Sequence, residues 1–191
     1  MNVTTRPLIP WLAIAALATG GCERAEPTRV QSDQPVHGGT LIYATDREPT
    51  CLDPHVAGDM PQVFVAQQYL DSLVSMDADG HLGPWLATRW EVSADGLRYT
   101  FHLRHDVHFT DGTPFNAAAL KANLDHITDP KTQSSTAGGY IRQYRGTQVL
   151  DDYTAVVELA TPYAAFLEVL AQGFLGMQSP TALARSREAN C

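Results

Sequence analysis

The sequence predicts an α/β fold, a mixed sheet with helices, and three observations carry that prediction. Trp90 and Val92 alternate before Ser93-Ala94-Asp95-Gly96, and Leu97, Tyr99, Phe101 and Leu103 alternate after it. A period of two on both sides of an Asp-Gly turn is a β-hairpin with one buried face. Further on, Ala117, Leu120, Leu124 and Ile127 recur at helical spacing behind Asn116, a residue suited to capping a helix. Finally, the 191 residues are 44% hydrophobic, which is enough apolar material for one core. Strands and helices follow one another without strict βαβ alternation and without an internal repeat.

At the front, residues 1–21 carry one basic group, Arg6, and no acid, and the stretch from Leu8 to Thr19 is uncharged. An apolar run of about a dozen residues falls short of the ~20 that span a bilayer and fits the core of a signal peptide. Gly20 and Gly21 then lead to Cys22, which resembles a bacterial lipobox with Thr19 where Leu is usual. On that reading Cys22 is lipidated and becomes the mature N-terminus; the plainer alternative is a secretory signal with an incidental cysteine. Residues 22–36 are polar, contain Pro27 and Pro35, and lack hydrophobic periodicity, as in a flexible tether. The folded part is expected over 37–191.

Within it, Thr40-Leu41-Ile42-Tyr43-Ala44 is expected to be a strand and Leu52-Asp53-Pro54 a loop. Pro61 to Leu73 predicts a helix with proline in its first turn, Val63, Gln67, Leu70 and Val74 sharing a stripe. Asp77-Ala78-Asp79-Gly80 predicts a turn. After the hairpin, Val107 and Phe109 run to a second turn at Asp111-Gly112, and Asn116 opens the amphipathic helix. Asp129 to Gly139 is a surface loop by composition. Val149 to Leu159 suggests another hairpin turning at Asp151-Asp152, Ala164 to Ala171 a short helix, and Ser179-Pro180 a capped helix start.

Thirteen Lys and Arg stand against 21 Asp and Glu, a formal net charge of −8. An acidic chain without a basic block argues against nucleic acid, whose phosphates demand clustered cations. Three cysteines with no C-x-x-C pair supply neither a disulfide scaffold nor a structural zinc site, and no obligatory disulfide is expected.

Several segments, in this order, resemble the family 5 extracellular solute-binding proteins, the peptide- and nickel-binding components of ABC importers. They are Gly38-Gly39-Thr40-Leu41, Leu52-Asp53-Pro54, Asp71-Ser72-Leu73-Val74, Gly83-Pro84-Trp85-Leu86-Ala87 and Trp90-Glu91-Val92-Ser93-Ala94-Asp95-Gly96. Tyr99-Thr100-Phe101-His102-Leu103-Arg104, Phe109-Thr110-Asp111-Gly112-Thr113-Pro114-Phe115, Asp151-Asp152-Tyr153-Thr154 and Ser179-Pro180 continue the series. The resemblance implies the first lobe of a periplasmic-binding-protein-like type II two-lobed fold, with 37–191 a truncated N-terminal lobe and the second lobe missing. It implies a receptor on the extracytoplasmic face of a bacterial membrane, held there by the lipid on Cys22 alone. That receptor would pass a peptide or other small solute to an ABC permease served by separate ATPase subunits. A truncated lipoprotein without transport activity is the alternative, and a carrier of nickel or another metal complex a weaker one.

The same resemblance points to the segment after the first strand and to the loop near Tyr140 as the ligand side, with His55, Gly58 and Tyr140 as candidate contacts. Packing support by that loop is an equally good account. His102, His105 and His108 read as solvated strand and turn residues rather than metal ligands, and no cofactor is implied. Asp77/Asp79, Asp111 and Asp151/Asp152 sit at turns, where aspartate commonly hydrogen-bonds the backbone. No nucleophile elbow or P-loop occurs, so an enzyme is not expected.

Overall fold

The computed structural model describes residues 38–49, 51–56 and 59–185. The expected signal peptide, Cys22, the tether and Gly58 lie outside them. The chain divides into Met1–Ile42 and Tyr43–Cys191. Of the first unit, Gly38 to Ile42 are exposed and belong to no strand, and the same holds for Tyr43 and Ala44 in the second. The expected strand at 40–44 therefore does not form. An apolar run favours extended backbone, but a strand also needs a ladder partner, and no described strand pairs with it.

In the second unit, helix α1 (Met60–Ala66) starts at Asp59, whose carboxylate accepts the Gln62 N–H, and has Pro61 in its first turn. It is half the expected length. The chain turns at Gln67–Tyr69, with the Tyr69 hydroxyl donating to the Leu52 carbonyl. That turn frees Val74 to enter a two-stranded ladder, β1 (Val74–Met76) against β2 (Leu82–Pro84). The loop between them is the expected turn, with Gly80 at φ 86°, a conformation that favours glycine.

The main sheet is antiparallel throughout, in the order β3-β4-β6-β5: β3 (Ala87–Val92), β4 (Arg98–Leu103), β5 (Tyr144–Asp151) and β6 (Thr154–Leu159). Its register explains its two faces. Trp90 pairs with Phe101 and Phe101 with Ala155, while Val92 pairs with Tyr99 and Tyr99 with Val157. These residues share the inner face, because directly opposed side chains point the same way. Tyr99, Phe101, Leu103, Ala155, Val157 and Leu159 are buried, whereas Trp90 is only partly covered and Val92 exposed, since β3 is an edge strand. The outer face carries Glu91, Arg98, Thr100, Gln148 and Glu158 around an open depression. One wet and one dry face is the usual economy of an antiparallel sheet.

Helix α2 (Ala117–Thr128) covers the inner face against β5 and β6. Asn116 caps it by accepting the Ala119 N–H at 2.9 Å, and Leu120, Leu124 and Ile127 are fully buried, as the stripe predicts. Short helices α3 (Ala137–Tyr140), α4 (Phe166–Leu170) and α5 (Pro180–Leu183), with a 3-10 turn at Gly173–Leu175, complete the fold. Ser179 accepts the Thr181 N–H and Pro180 begins α5, as the sequence indicates. Cys51 is disulfide-bonded, where the sequence suggested no obligatory disulfide.

Phe101 sits at the centre of the inner face with no exposed surface. Phe101→Ala is expected to cost about 3–5 kcal/mol, read as a lower urea midpoint at unchanged slope. Arg98→Ala, on the wet face, is expected to change stability by no more than about 0.5 kcal/mol. Equal effects of the two would contradict the assigned faces.

Candidate functional site

Two polar arrangements stand out, and one segment, Gly173 to Ser179, serves both. Asn123 faces inward from the middle of α2 and is fully buried. Its amide oxygen accepts the Gln178 N–H at 2.8 Å, while its amide nitrogen donates to the carbonyls of Gln178 (2.8 Å) and Ala119 (2.9 Å). The Met177 N–H donates to the Asp71 carbonyl at 2.8 Å. The segment is thus pinned to α2 on one side and to the chain before β1 on the other.

The first arrangement is buried. Asp53 and His55 come from the loop before α1, His126 from the last turn of α2, and Gln178 from the pinned segment. Gln178 Nε2 donates to Asp53 Oδ1 at 2.7 Å and to His55 Nδ1 at 3.2 Å, and the His55 N–H also donates to Asp53 Oδ1, at 2.9 Å. His55 Nε2 lies 2.9 Å from the Gly176 carbonyl. A carbonyl can only accept, so that nitrogen carries the proton and Nδ1 keeps its lone pair. Burial, with a further push from His126, lowers the imidazole pKa to about 4 against the pull of Asp53, leaving it neutral at pH 7. Burial pushes the Asp53 carboxyl upward, but His126, the adjacent His55 and the Gln178 amide outweigh it and hold the carboxyl below its ordinary value. One ligand atom each from Asp53, His55 and His126 lies within 4.8 Å of the others.

The second arrangement is an open cavity of about 490 Å³. Leu86, Val107, Phe109, Phe115 and Met177 give it an apolar lining, and Asp71, Asp111, Gln178, Ser179 and Arg185 give it polar groups. An apolar floor with a few directed polar groups is the usual make-up of a small-molecule site. Ser179 and Thr113 both donate hydroxyl hydrogens to Asp111, the latter at 2.6 Å, and the Thr113 N–H adds a third bond at 3.0 Å. These hydroxyls, Ser179 first, hold the Asp111 carboxyl down to about 2.

Of the sequence-predicted contacts, His55 lies in the interior cluster and lines neither the cavity nor the surface. Tyr140 is half exposed with its ring stacked on Phe174, centroids 4.9 Å apart, away from the cavity lining. Gly58 and Cys22 lie outside the described residues. His102, His105 and His108 do not converge: His102 faces Glu91 at 3.3 Å and His105 stacks on Tyr153 at 4.0 Å. The sequence reading missed His126, Asn123 and Gln178. The only available signal was a pair of polar residues on the α2 stripe side, at 123 and 126, where a purely packing helix would place apolar ones.

A mixed α/β sheet-and-helix unit of this kind is a fragment of a periplasmic-binding-protein-like type II fold. The profile "Bacterial extracellular solute-binding proteins, family 5 Middle" matches residues 81–187, and the chain belongs to that family. Over 143 residues it is 38% identical to the "Glutathione-binding protein GsiB" of Escherichia coli O1:K1 / APEC, covering 75% of this chain and 28% of that protein. Among solved structures it is similar to NikA from Brucella suis in complex with Fe(III)-EDTA, at 34% identity and a TM-score of 0.64, over 70% of this chain and 27% of that one. It is also similar to Haemophilus influenzae OppA in complex with RPPGFSPFR, at 28% identity and a TM-score of 0.68, over 74% and 31%. The chain therefore spans less than a third of the length of these relatives.

The Asp111 contact gives a pH test. Its folded pKa lies below the ordinary carboxylate value of about 3.9, so its stabilisation is full above that value and is lost as pH falls through about 2. The difference in Tm between the wild type and Asp111→Ala is expected to be present at pH 5 and to close as pH falls to 2. A difference constant across that range would show that the charge of Asp111 is not what holds Ser179.

Proposed function

We propose that this chain forms part of the N-terminal lobe of an extracytoplasmic receptor that binds a peptide-like solute and delivers it to an ABC permease. Membership of the family 5 solute-binding proteins carries the reading. The GsiB and OppA relatives, named or crystallised with glutathione and a nonapeptide, favour a peptide-like ligand over other solutes. In this proposal the solute is closed in from two sides, one of them this lobe, with hinge closure producing the state that docks on the permease. The cavity floored by Phe109 and Phe115 offers apolar area, and Asp111, Gln178 and Arg185 offer polar anchors. Tyr140, half exposed, and the loop carrying Gly58 are proposed as further contacts on the ligand side. His55 would act there indirectly, by fixing the loop.

Residues 1–21 would serve as export signal, Cys22 as lipid attachment site and 22–36 as tether, placing the receptor on the outer side of the cytoplasmic membrane or in the periplasm. Among the described residues no helix is long and apolar enough to cross a membrane.

Deleting the gene is expected to abolish uptake of labelled glutathione or short peptides, and reintroducing it to restore uptake. Unchanged uptake across a panel of peptides and metal complexes would overturn the reading. The 191-residue chain alone, titrated calorimetrically with the same peptides, is expected to show no submicromolar binding, because a one-sided surface leaves the solute's lost freedom poorly offset. Tight 1:1 binding would refute enclosure from two sides. Cys22→Ser is expected to eliminate incorporation of labelled fatty acid and to release the protein from membranes; a wild type without acyl label would refute the anchor.

A further inference from the structure

We propose that Asp53, His55 and His126 form a buried site for a divalent transition-metal ion, zinc being the best chemical match, inside this lobe and separate from the solute cavity. The first observation is a pair of buried polar atoms that make no hydrogen bond. Asp53 Oδ2 and His126 Nε2 are both buried, and neither has a hydrogen-bond partner. They face each other across 3.8 Å, beyond hydrogen-bonding range. Two ligands of a tetrahedral ion at about 2.0–2.1 Å stand about 3.3–3.4 Å apart, so an ion would draw these atoms together by only about half an ångström.

The second observation is the state of His55. Its Nε2–H is committed to the Gly176 carbonyl at 2.9 Å, which fixes the ring and directs the Nδ1 lone pair toward the cluster. A ligating imidazole ordinarily has its other nitrogen anchored in this way. Gln178 holds Asp53 Oδ1 at 2.7 Å and makes a longer contact of 3.2 Å to His55 Nδ1. When the lone pair turns to the ion the amide keeps the shorter bond, so Asp53 stays oriented. Two neutral imidazoles and one carboxylate suit zinc, and equally the nickel or cobalt that compete for such donors. Magnesium and calcium, which take oxygen ligands, are excluded.

The third observation is connectivity. The ligands come from the loop before α1 and from the end of α2, and their supports from positions 176 and 178. All lie in one folded unit, so the ion would staple three chain segments rather than travel as cargo. His126 is partly exposed and supplies the way in.

The test uses the complete 191-residue chain, stripped of metal by chelation and titrated with zinc chloride. One equivalent is expected to bind and to raise the Tm as zinc concentration rises. His126→Gln is expected to weaken binding at least about 100-fold, and Gln178→Leu about 10–100-fold. His81→Ala, at the exposed Asp77/Asp79/His81 turn, is expected to leave binding unchanged. If His126→Gln does not fold, X-ray absorption on the zinc-loaded wild type reads the ligands directly, with two imidazoles and oxygen expected. A chain that binds no zinc, loss of binding in His81→Ala instead, or a shell with one imidazole or with sulfur would each overturn the proposal. Because the probe is zinc alone, failure here leaves the peptide reading untouched, and failure of peptide uptake leaves this one untouched.

Discussion

Asn123 is the residue on which the rest of the architecture hangs. Its side chain satisfies both backbone polar groups of Gln178 from the middle of a helix whose other inward residues are apolar. A buried amide left without partners costs about 1–3 kcal/mol per group, so the helix and the 176–179 segment are bound to each other's presence. From this one clasp follow the position of the Gly176 carbonyl under His55, of the Gln178 side chain between Asp53 and the cavity, and of Ser179 against Asp111. On its other side the segment lies so close to Leu70 that position 176 admits no side chain. A Cβ there would fall 2.7 Å from the Leu70 Cβ and 3.2 Å from the Gly173 carbonyl oxygen.

The sheet supplies the rigid side of the same arrangement. Its inner face buries Phe101, Leu103 and Val157 and meets α2 through β5 and β6, while its outer face stays polar. Helix α2 is therefore held from below by apolar contact, and polar chemistry is concentrated at its end and upper side, at Asn123 and His126. Such a division lets one helix carry a core stripe and a polar cluster without either disrupting the other, because residues three and four apart share a face.

Local rules were enough for the parts of this structure that obey local physics. The Asp95-Gly96 hairpin, the Asn116 cap, the α2 stripe and the Ser179-Pro180 helix start are all decided within a few residues, and all are found where their patterns lie. The misses are the features set at long range. The apolar run at 40–44 lacks a partner ladder among the described residues. The helix after Pro61 stops at Ala66 because Leu73 and Val74 are needed in the core and in β1, which an unbroken helix could not provide. His126 meets Asp53 across a sequence gap that no spacing rule connects. The Leu52-Asp53-Pro54 segment was legible as a family feature, but its partners at 126 and 178 are products of topology.

Gln178 is where the two polar arrangements meet. Its amide orients Asp53 and His55 inside, and the same residue lines the cavity outside. A solute that moved this side chain would change the setting of the buried cluster, and anything that stiffened the cluster would fix one wall of the cavity. Linkage makes such an effect reciprocal: the free energy by which an ion in the cluster alters solute affinity equals that by which the solute alters ion affinity. The Asn123 clasp limits its size, because it holds the Gln178 backbone fixed and leaves only the side chain to respond. Any communication between the interior and the cavity would therefore run through the torsions of one glutamine rather than through a shift of the segment that bears it.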